Sequence, residues 1–405
     1  MQRVERHIFN NSEVFSDLTH KAKNLYNYAN YLIRQQFIHF GTIPNEYKMT
    51  KMLGETNQVD FRAMPTVDSA QQTIKLLFKN WKSFFKANDE YKINPSKFRG
   101  RPKLPKYKDK EGHSVIIFTK NNARVKNGYI HFSKKANITP IKTKVSSLKQ
   151  VRIIPNATCF IVEIVYEKTP LQLVSNNENY LSIDLGLNNL VTTFNNIGEK
   201  PFIINGKPLK SINQYYNKKK ATLMSHIGNR GTSKRINTLT HKRNMKVHDY
   251  LHKSSKIVID YALKHNISTI IIGDNAKWKQ NINIGKKNNQ NFVSIPHAKL
   301  IQQLQYKGEE VGIKIITTEE SYTSKTDNFA NELLKKFQKK DDGIPKPTMG
   351  KRVSRGMFKS STKRMINADV NGALGILRKV VPESIVTILL GNRGVAITPN
   401  KFNAY

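Results

Sequence analysis

From Tyr180 onward, apolar strand segments alternate with long helical segments, and this alternation leaves few possible folds for the second half of the chain. The segment YLSIDLGLNNLVTTFNN predicts two strands joined by a tight turn at Gly186. Two long basic helical segments follow, then the strand STIIIGDN, a helix, the strand IKIITTEE and the helical segment NADVNGALGILRKVV. Strands that alternate with helices predict a mixed or parallel sheet covered on both faces.

The residues before Tyr180 have two other patterns. Between about residues 16 and 92, apolar residues recur at helical spacing, as at Leu18, Ala22, Leu25 and Ala29. A basic segment broken by Pro and Gly, KFRGRPKLPKYKDK, comes next, followed by short alternating runs that predict strands of a small barrel or sandwich. We expect nucleic-acid contacts from the cations of the basic segment, the alternative being an exposed connector: Lys97, Arg99, Arg101 and Lys103.

The chain is strongly basic, with 68 Lys and Arg against 29 Asp and Glu, a formal net charge of +39. Self-repulsion of this size favours a polyanionic partner, and phosphate contacts supply most of the affinity of nucleic-acid binding. A membrane surface, or a bias toward lysine without function, would be the alternative explanations.

The only cysteine, Cys159, excludes an intramolecular disulfide and a zinc site built on several thiolates. No apolar run approaches the roughly 18 residues of a membrane span, so we expect an intracellular, cytoplasmic and nucleoid-associated protein.

Acidic residues stand at the ends of three predicted elements, two of them as single aspartates and one as a pair of glutamates. Asp184 interrupts an apolar strand, where a carboxylate is costly unless it is paired or bound to a metal. Asp369 lies at the mouth of a helix, where a simple N-cap is the alternative. Glu319 and Glu320 end a strand, where they could also be a solvated pair. Together the acids fit two-metal cleavage of a phosphodiester, for which oxygen ligands favour Mg²⁺ or Mn²⁺.

The ordered segments SIDLGLNNLVT, HKRNMKVHDYLHKSSKIVIDYA, EESYTSK and INADVNGALGIL resemble the motifs of the RuvC-like nuclease domain of the TnpB family, also called OrfB transposases. The resemblance extends from the N-terminal helices to about Val381. It implies an RNA-guided, divalent-metal-dependent DNA endonuclease of a transposon, with two Mg²⁺ or Mn²⁺ ions, a guide RNA and a target DNA. It also implies that Asp184 and Asp369 are the catalytic, metal-binding aspartates of the first and third motifs.

The second motif departs from most relatives, because Gly273 stands where they carry a glutamate. A subgroup of the family places an alternative glutamate just before a Thr-Ser pair, and the resemblance assigns that role to Glu320, which precedes Thr323 by three residues. Ends of neighbouring strands lie about 5 Å apart, so either position could reach shared metals. Asp274, next to the vacant position, is the rival.

The segment between the second and third acids also differs from that of most relatives. Many relatives carry a four-cysteine zinc ribbon there, whereas residues 326–364 contain neither cysteine nor histidine, so we expect no zinc. We predict a flexible basic loop over the cleft, with cations that face the substrate, among them Lys351, Arg352 and Arg355.

The predicted fold is an α/β RuvC-like (RNase H-like) nuclease domain. A small wedge-type β-barrel with an inserted N-terminal helical domain precedes it. The predicted boundaries are residues 1–15 for the first barrel strand, 16–92 for the helical recognition domain, 93–175 for the barrel, 178–382 for the nuclease domain and 383–405 for a C-terminal tail.

Two other functions remain open at this point. A nuclease-dead relative could bind DNA under RNA guidance and repress transcription, which the missing second glutamate and zinc ribbon favour. A transposase that transfers strands through a tyrosine would need paired metal-binding histidines, and no such motif is found. The sequence leaves open whether the protein is a monomer or a dimer.

Overall fold

The computed structural model describes two compact units, Met1–Lys168 and Thr169–Tyr405. The residues it describes are 1–171, 177–228, 231–274, 295–334, 349–354, 356–382, 385 and 398–404.

The helices of the first unit are α1 (Glu13–Phe40), α2 (Glu46–Glu55), α3 (Val59–Arg62) and α4 (Val67–Ile93). Ser12 begins α1, and its hydroxyl accepts a hydrogen bond from the amide of Phe15. The predicted stripe Leu18, Ala22, Leu25 and Ala29 is buried. It packs in a core with Trp81 of α4, whose indole N–H donates to Asn30 Oδ1 at 3.0 Å. Helical spacing therefore predicted this core correctly.

The strands of the first unit, numbered β1 to β7 in chain order with the ranges given at the end of this paragraph, form two antiparallel sheets. The strand orders are β1-β7-β6-β2 and β3-β4-β5. β1 lies beside β7, although the four helices separate the two strands in the chain. No hydrogen-bonded strand pair joins the two sheets within the described residues, so closure into a barrel stays a prediction. The strands are β1 (Gln2–Phe9), β2 (Ile116–Thr119), β3 (Ala123–Lys126), β4 (Tyr129–Phe132), β5 (Ile141–Lys142), β6 (Gln150–Asn156) and β7 (Cys159–Glu167).

A six-stranded mixed sheet, ordered β12-β11-β8-β9-β10-β16, forms the centre of the second unit. β12, β11 and β8 are parallel, β9 is antiparallel to both of its neighbours, and β16 is parallel to β10. The mixed α/β sheet predicted from sequence is therefore confirmed. The strands are β8 (Tyr180–Asp184), β9 (Asn189–Asn195), β10 (Phe202–Asn205), β11 (Thr269–Gly273), β12 (Lys314–Thr318) and β16 (Asn400–Phe402).

Helices cover both faces of this sheet, which explains the unbroken isoleucine run of β11. Ile270 and Ile272 pack into the core shared with the long helices, whereas Ile271 packs into a second core with the last helix. Because successive side chains of a strand point to opposite faces, a strand covered on both sides has no polar face. The helices are α5 (Lys207–Ile227), α6 (Lys234–Lys264), α7 (His297–Val311) and α8 (Ala368–Arg378).

The cysteine-free segment 326–364 is only partly described, but the described part is not a flexible loop. β13 (Lys351–Ser354), β14 (Met357–Lys359) and β15 (Met365–Asn367) form a three-stranded antiparallel sheet. The buried carboxylate of Asp327 anchors this sheet, since it accepts hydrogen bonds from Ser360 Oγ (2.8 Å) and the amide of Ser361 (2.7 Å). The loop prediction was wrong for these strands because side-chain hydrogen bonds between residues distant in the sequence hold them.

The C-terminal tail also contributes structure, because β16 adds an edge strand to the central sheet. The aromatic rings of Phe402 and Phe202 lie 6.0 Å apart. None of the helices in the described ranges has the length and apolar character that crossing a membrane requires.

Candidate active site

Asp184 is the last residue of β8 and lies under the first turns of α8. A Cβ atom placed on Gly372 of α8 would lie 2.9 Å from Asp184 Oδ2, so glycine lets the helix backbone approach the carboxylate. Within the described part of the chain, no hydrogen bond reaches this carboxylate. Its pKa is raised well above the usual range by burial, then by the charges of Glu320 and Asp369, and Arg352 partly opposes the shift.

Asp369 lies in the first turn of α8, but it is not the cap of that helix. Asn367 is the N-cap, and its Oδ1 accepts from the amides of Asp369 (3.0 Å) and Val370 (3.1 Å). The carboxylate of Asp369 is therefore available for another role. It accepts a hydrogen bond from Asn189 Nδ2 at 2.7 Å, and Arg352 lies 3.5 Å from its other oxygen.

Glu320 follows β12, the strand beside β11, and its carboxylate lies over Gly273. A Cβ atom placed on Gly273 would lie 2.8 Å from Glu320 Oε2 and 2.5 Å from Ile376 Cδ1. A side chain at position 273 would therefore clash with the carboxylate of Glu320 in its present position. The pKa of Glu320 is raised to about 7 by burial and by the charges of Asp274 and Glu319, against the opposing charge of Lys379.

The rival acids differ from Glu320 in their electrostatic contacts. Asp274 acts on the pKa of Glu320, but it is not among the groups that shift the pKa of Asp184. Glu319 accepts a hydrogen bond from Lys379 Nζ at 2.7 Å. Burial raises the pKa of Glu319, but the hydrogen bonds from Lys379 and Ser321 outweigh it and lower this pKa overall. Glu320 is thus the acid coupled to Asp184, and Glu319 has a cation of its own.

A buried polar network fixes the turn after Glu320 to α8. Thr323 Oγ1 donates to the carbonyl of Glu320 at 2.8 Å. Asn328 Nδ2 donates to the carbonyls of Thr323 (2.8 Å) and Asn371 (3.0 Å), and its Oδ1 accepts from Arg378 at 3.0 Å. Buried polar groups that are fully paired hold one geometry, because breaking a single bond leaves a partner unsatisfied.

Sequence reasoning missed several residues of this site. Asn189 and Asn371 lie within the quoted motifs, so an amide near each aspartate was a usable signal. Lys379, Arg378 and Asn328 gave no such signal, because their contacts depend on how α8 packs beside the turn after Glu320.

The predicted nucleic-acid residues fall in different places. Arg352, on β13, contacts Asp369, and Lys351 beside it is exposed. Arg355 lies outside the described residues. The four cations of the basic segment lie in the first unit and are exposed: Lys97, Arg99, Arg101 and Lys103. Lys97 forms an ion pair with Glu90.

The structure couples Asp184 to both Glu320 and Asp369, but it does not show a finished metal centre. In the described ranges no three His, Cys, Asp or Glu side chains form a group that could hold one ion. The carboxylate oxygens nevertheless suit a hard divalent cation, because Asp184 receives no hydrogen bond from the described residues and lies beside two more acids.

The raised pKa of Glu320 predicts a pH-dependent stability without metal. A carboxyl whose pKa is higher in the folded than in the unfolded state binds extra protons when folded, so stability falls as pH rises between about 4.5 and 7. In EDTA we expect Glu320→Gln to match the wild type near pH 4.5. At pH 8 it should be more stable by about 2 kcal/mol, allowing for partial exposure.

Urea unfolding at the two pH values measures this difference. Glu309→Gln, at an exposed position of α7, is the matched control and should show no change in the difference between pH values. A pH-independent effect of Glu320→Gln would contradict the crowding of acids described above.

Comparison with known proteins shows similarity to two families over parts of the chain. Residues 163–279 match the OrfB_IS605 family, described as "Probable transposase", and residues 297–376 match "Cas12f1-like, TNB domain". A TnpB-like protein of Methanocaldococcus jannaschii is 28% identical over 185 residues, which cover 42% of this chain and 66% of that protein. The chain thus matches just under two thirds of that relative's length.

Two solved structures are similar over most of their length. The Cas12f1-sgRNA-target DNA complex is 16% identical, covering 93% of this chain and 98% of that chain, with a TM-score of 0.36. The mini-RNA-guided endonuclease CRISPR-Cas_phi3 is 10% identical, covering 98% and 93%, with a TM-score of 0.42. These scores are too low to bear on the arrangement of this chain. The two family matches, the TnpB-like relative and the ordered acid motifs agree, and together they support a relationship of this chain to the TnpB family of OrfB-type proteins.

Proposed function

We propose that the protein is an RNA-guided, divalent-metal-dependent DNA endonuclease of a transposon, with a RuvC-like nuclease domain as its second unit. The observation that carries the proposal is the Asp184 carboxylate, which has no hydrogen-bond donor in the described residues and is coupled to Glu320 and Asp369. Burial and the charges of Glu320 and Asp369 disfavour the ionised form of Asp184 by raising its pKa, and a bound cation would relieve this repulsion. The strand order β12-β11-β8-β9-β10, with β9 antiparallel, is what we expect of a RuvC-like domain.

Asp184, Glu320 and Asp369 are the residues that would hold the metal. Divalent cations bound there would lower the pKa of an attacking water and stabilise the charge on the leaving oxygen. Asn189 orients the Asp369 carboxylate through its hydrogen bond, and the network around Asn328 holds the turn that carries Glu320. Arg352 beside Asp369 is placed to contact a phosphate.

Guide and target recognition would depend on charge and base pairing. The net charge of +39 supports binding to nucleic-acid backbones without regard to sequence. In RNA-guided nucleases, base pairing between guide and target reads the sequence, while the protein contacts the heteroduplex by its shape and backbone. Similarity to the TnpB family makes this division of labour the favoured proposal for the present chain.

Two measurements in series test the proposal. The RNA that copurifies with the protein is sequenced, and a discrete species is expected. That RNA is then reprogrammed against a plasmid with randomised sequence beside the target, and cleavage is measured with Mg²⁺, Mn²⁺ or EDTA. Cleavage that needs the metal and the matching guide supports the nuclease. Guided binding without any nick in either metal would overturn it in favour of the repressor.

A further inference from the structure

The helices α5 and α6 lie in a strongly basic part of the chain that lacks acids over most of its length. Between Lys200 and His248 the sequence contains no Asp or Glu, and the first acid after them is Asp249. Further along α6, Lys253 and Lys256 pair with acids one helical turn away. A face with cations and no acids is the electrostatic feature that recognises phosphates.

A groove of about 1150 Å³ runs between the two helices, and both line it. Its lining combines the partly buried apolar side chains Ile212, Leu223 and Leu239 with two tyrosines, Tyr215 and Tyr216. Hydroxyl groups of serine and threonine also line it. The cations around it are Lys219, Lys234, Arg235, Lys242, Arg243 and Lys246.

The two tyrosines have different environments. Tyr216 is held between the helices, with its hydroxyl 3.2 Å from Thr240 Oγ1 and its ring 5.8 Å from the Arg243 guanidinium. Arg243 is itself fixed, since its Nε donates to Asn213 Oδ1 at 2.8 Å. Tyr215 is 61% exposed, and among the described residues it has neither a hydrogen bond nor a ring contact. An exposed ring beside a rigid one offers a surface on which a planar group can stack.

We propose that the groove binds a single-stranded segment of RNA, with a base stacked on Tyr215 and the flanking phosphates on the surrounding lysines. An unpaired base exposes the π-face that stacking needs, whereas a duplex covers its base faces and offers mainly backbone. The apolar residues in the lining favour a nucleobase over a purely ionic ligand. The hydroxyls of Ser211, Thr222 and Thr238 favour RNA, since their oxygens can accept a hydrogen bond from a ribose 2′-hydroxyl, although Thr222 and Thr238 donate their own protons to helix carbonyls.

This site goes beyond the proposed nuclease activity and does not depend on it. None of the three acids lines the groove, and the tests use the full chain in EDTA, where metal-dependent cleavage is blocked. A protein that fails to cut DNA could therefore still have the groove, and a failed groove test would leave the nuclease proposal standing.

The first experiment locates the contact. A uridine oligomer with 5-iodouridine is bound, irradiated and digested, and the cross-linked peptides are identified by mass spectrometry. We expect a cross-link at Tyr215. Tyr47 of the first unit is 76% exposed and serves as the control for accessibility alone. Cross-linking at Tyr47 equal to or above that at Tyr215, or none at Tyr215, would overturn the site.

The second experiment separates bases from phosphates. The wild type should bind a uridine oligomer about tenfold more tightly than an abasic oligomer of the same length, the size expected for stacking of one base. Tyr215→Ala should remove most of this preference, whereas Tyr47→Ala should keep it. An unchanged preference in Tyr215→Ala would refute stacking there.

Charge and sugar are tested with the same oligomers. Lys219→Ala and Lys242→Ala should each lower the salt dependence of binding by nearly one counterion, while Lys256→Ala, on α6 but outside the lining, should not. Wild type should bind RNA more tightly than the corresponding DNA, and Tyr215→Ala should reduce that difference. Equal loss from all three lysine variants, or equal binding of DNA, would overturn the RNA site.

Discussion

Asp184→Ala and Asp369→Ala are each expected to reduce guided plasmid cleavage about 1000-fold or more, while the affinity for the guide RNA stays within about twofold of wild type. The physical reason is that both carboxylates belong to one coupled cluster, so loss of either leaves too few ligands for the metal. Neither variant should lose stability through charge, because each removes an acid from a crowded site. Single-turnover cleavage rates in Mg²⁺, with filter binding of the RNA, give the two readouts.

The matched control for these variants is Asp274→Asn. Asp274 adjoins the site and acts on Glu320, but it is not among the groups that shift the pKa of Asp184. We expect its cleavage rate to stay within about threefold of wild type, as for a residue outside the metal ligands. Cleavage at the wild-type rate by Asp184→Ala would exclude the assignment of these acids. A collapse of Asp274→Asn to the level of Asp184→Ala would instead make Asp274 the second acid.

Gly273→Ala is expected to reduce cleavage by about 100-fold, an unusually large effect for one methyl group. That methyl would lie 2.8 Å from Glu320 Oε2 and 2.5 Å from Ile376 Cδ1, so the Glu320 carboxylate and the Ile376 side chain must both shift to make room. Adding Ile376→Val removes the Cδ1 atom and should restore stability more than activity, because the conflict with Glu320 remains. Cleavage rates and urea midpoints of both variants separate these two effects.

Gly356→Ala provides the control for the loss of glycine itself, since nothing lies within 4 Å of a Cβ at that position. It should cut DNA at the wild-type rate.

Glu320→Gln should be as inactive in cleavage as Asp184→Ala. If Gly273→Ala retained full activity, the carboxylate of Glu320 could not have its present position during catalysis.

The sequence allowed the ends of the apolar strands to be recognised, and with them Asp184, but it could not separate cap from ligand at Asp369. The cap alternative is wrong, because Asn367 caps α8 and the carboxylate of Asp369 accepts a hydrogen bond from Asn189; the metal role of Asp369 stays a prediction. Glu320 came from a resemblance of motifs. The motifs did not explain why residue 273 is a glycine. That reason depends on the packing of β11 against Glu320 and Ile376, which are remote in the chain.

The segment 326–364 shows a different limit of sequence reasoning. Lysine and arginine dominate KRVS and RGMFKSSTKR, and neither stretch has a clear apolar alternation, so a loop was the natural prediction. The strands are held instead by Asp327 through Ser360 and Ser361. Hydrogen bonds between residues more than thirty positions apart leave no periodic pattern. The same is true of β16, three residues long at the edge of a sheet.

The pairing of β1 with β7 has a consequence for synthesis on the ribosome. β1 is made first, yet the residues that pair with it run from Phe160 to Glu167. At 5–20 residues per second, roughly 8–32 s pass before that partner has been translated. Meanwhile α1 to α4 can assemble by themselves, while β1 waits with an unsatisfied edge that a neighbouring nascent chain could capture.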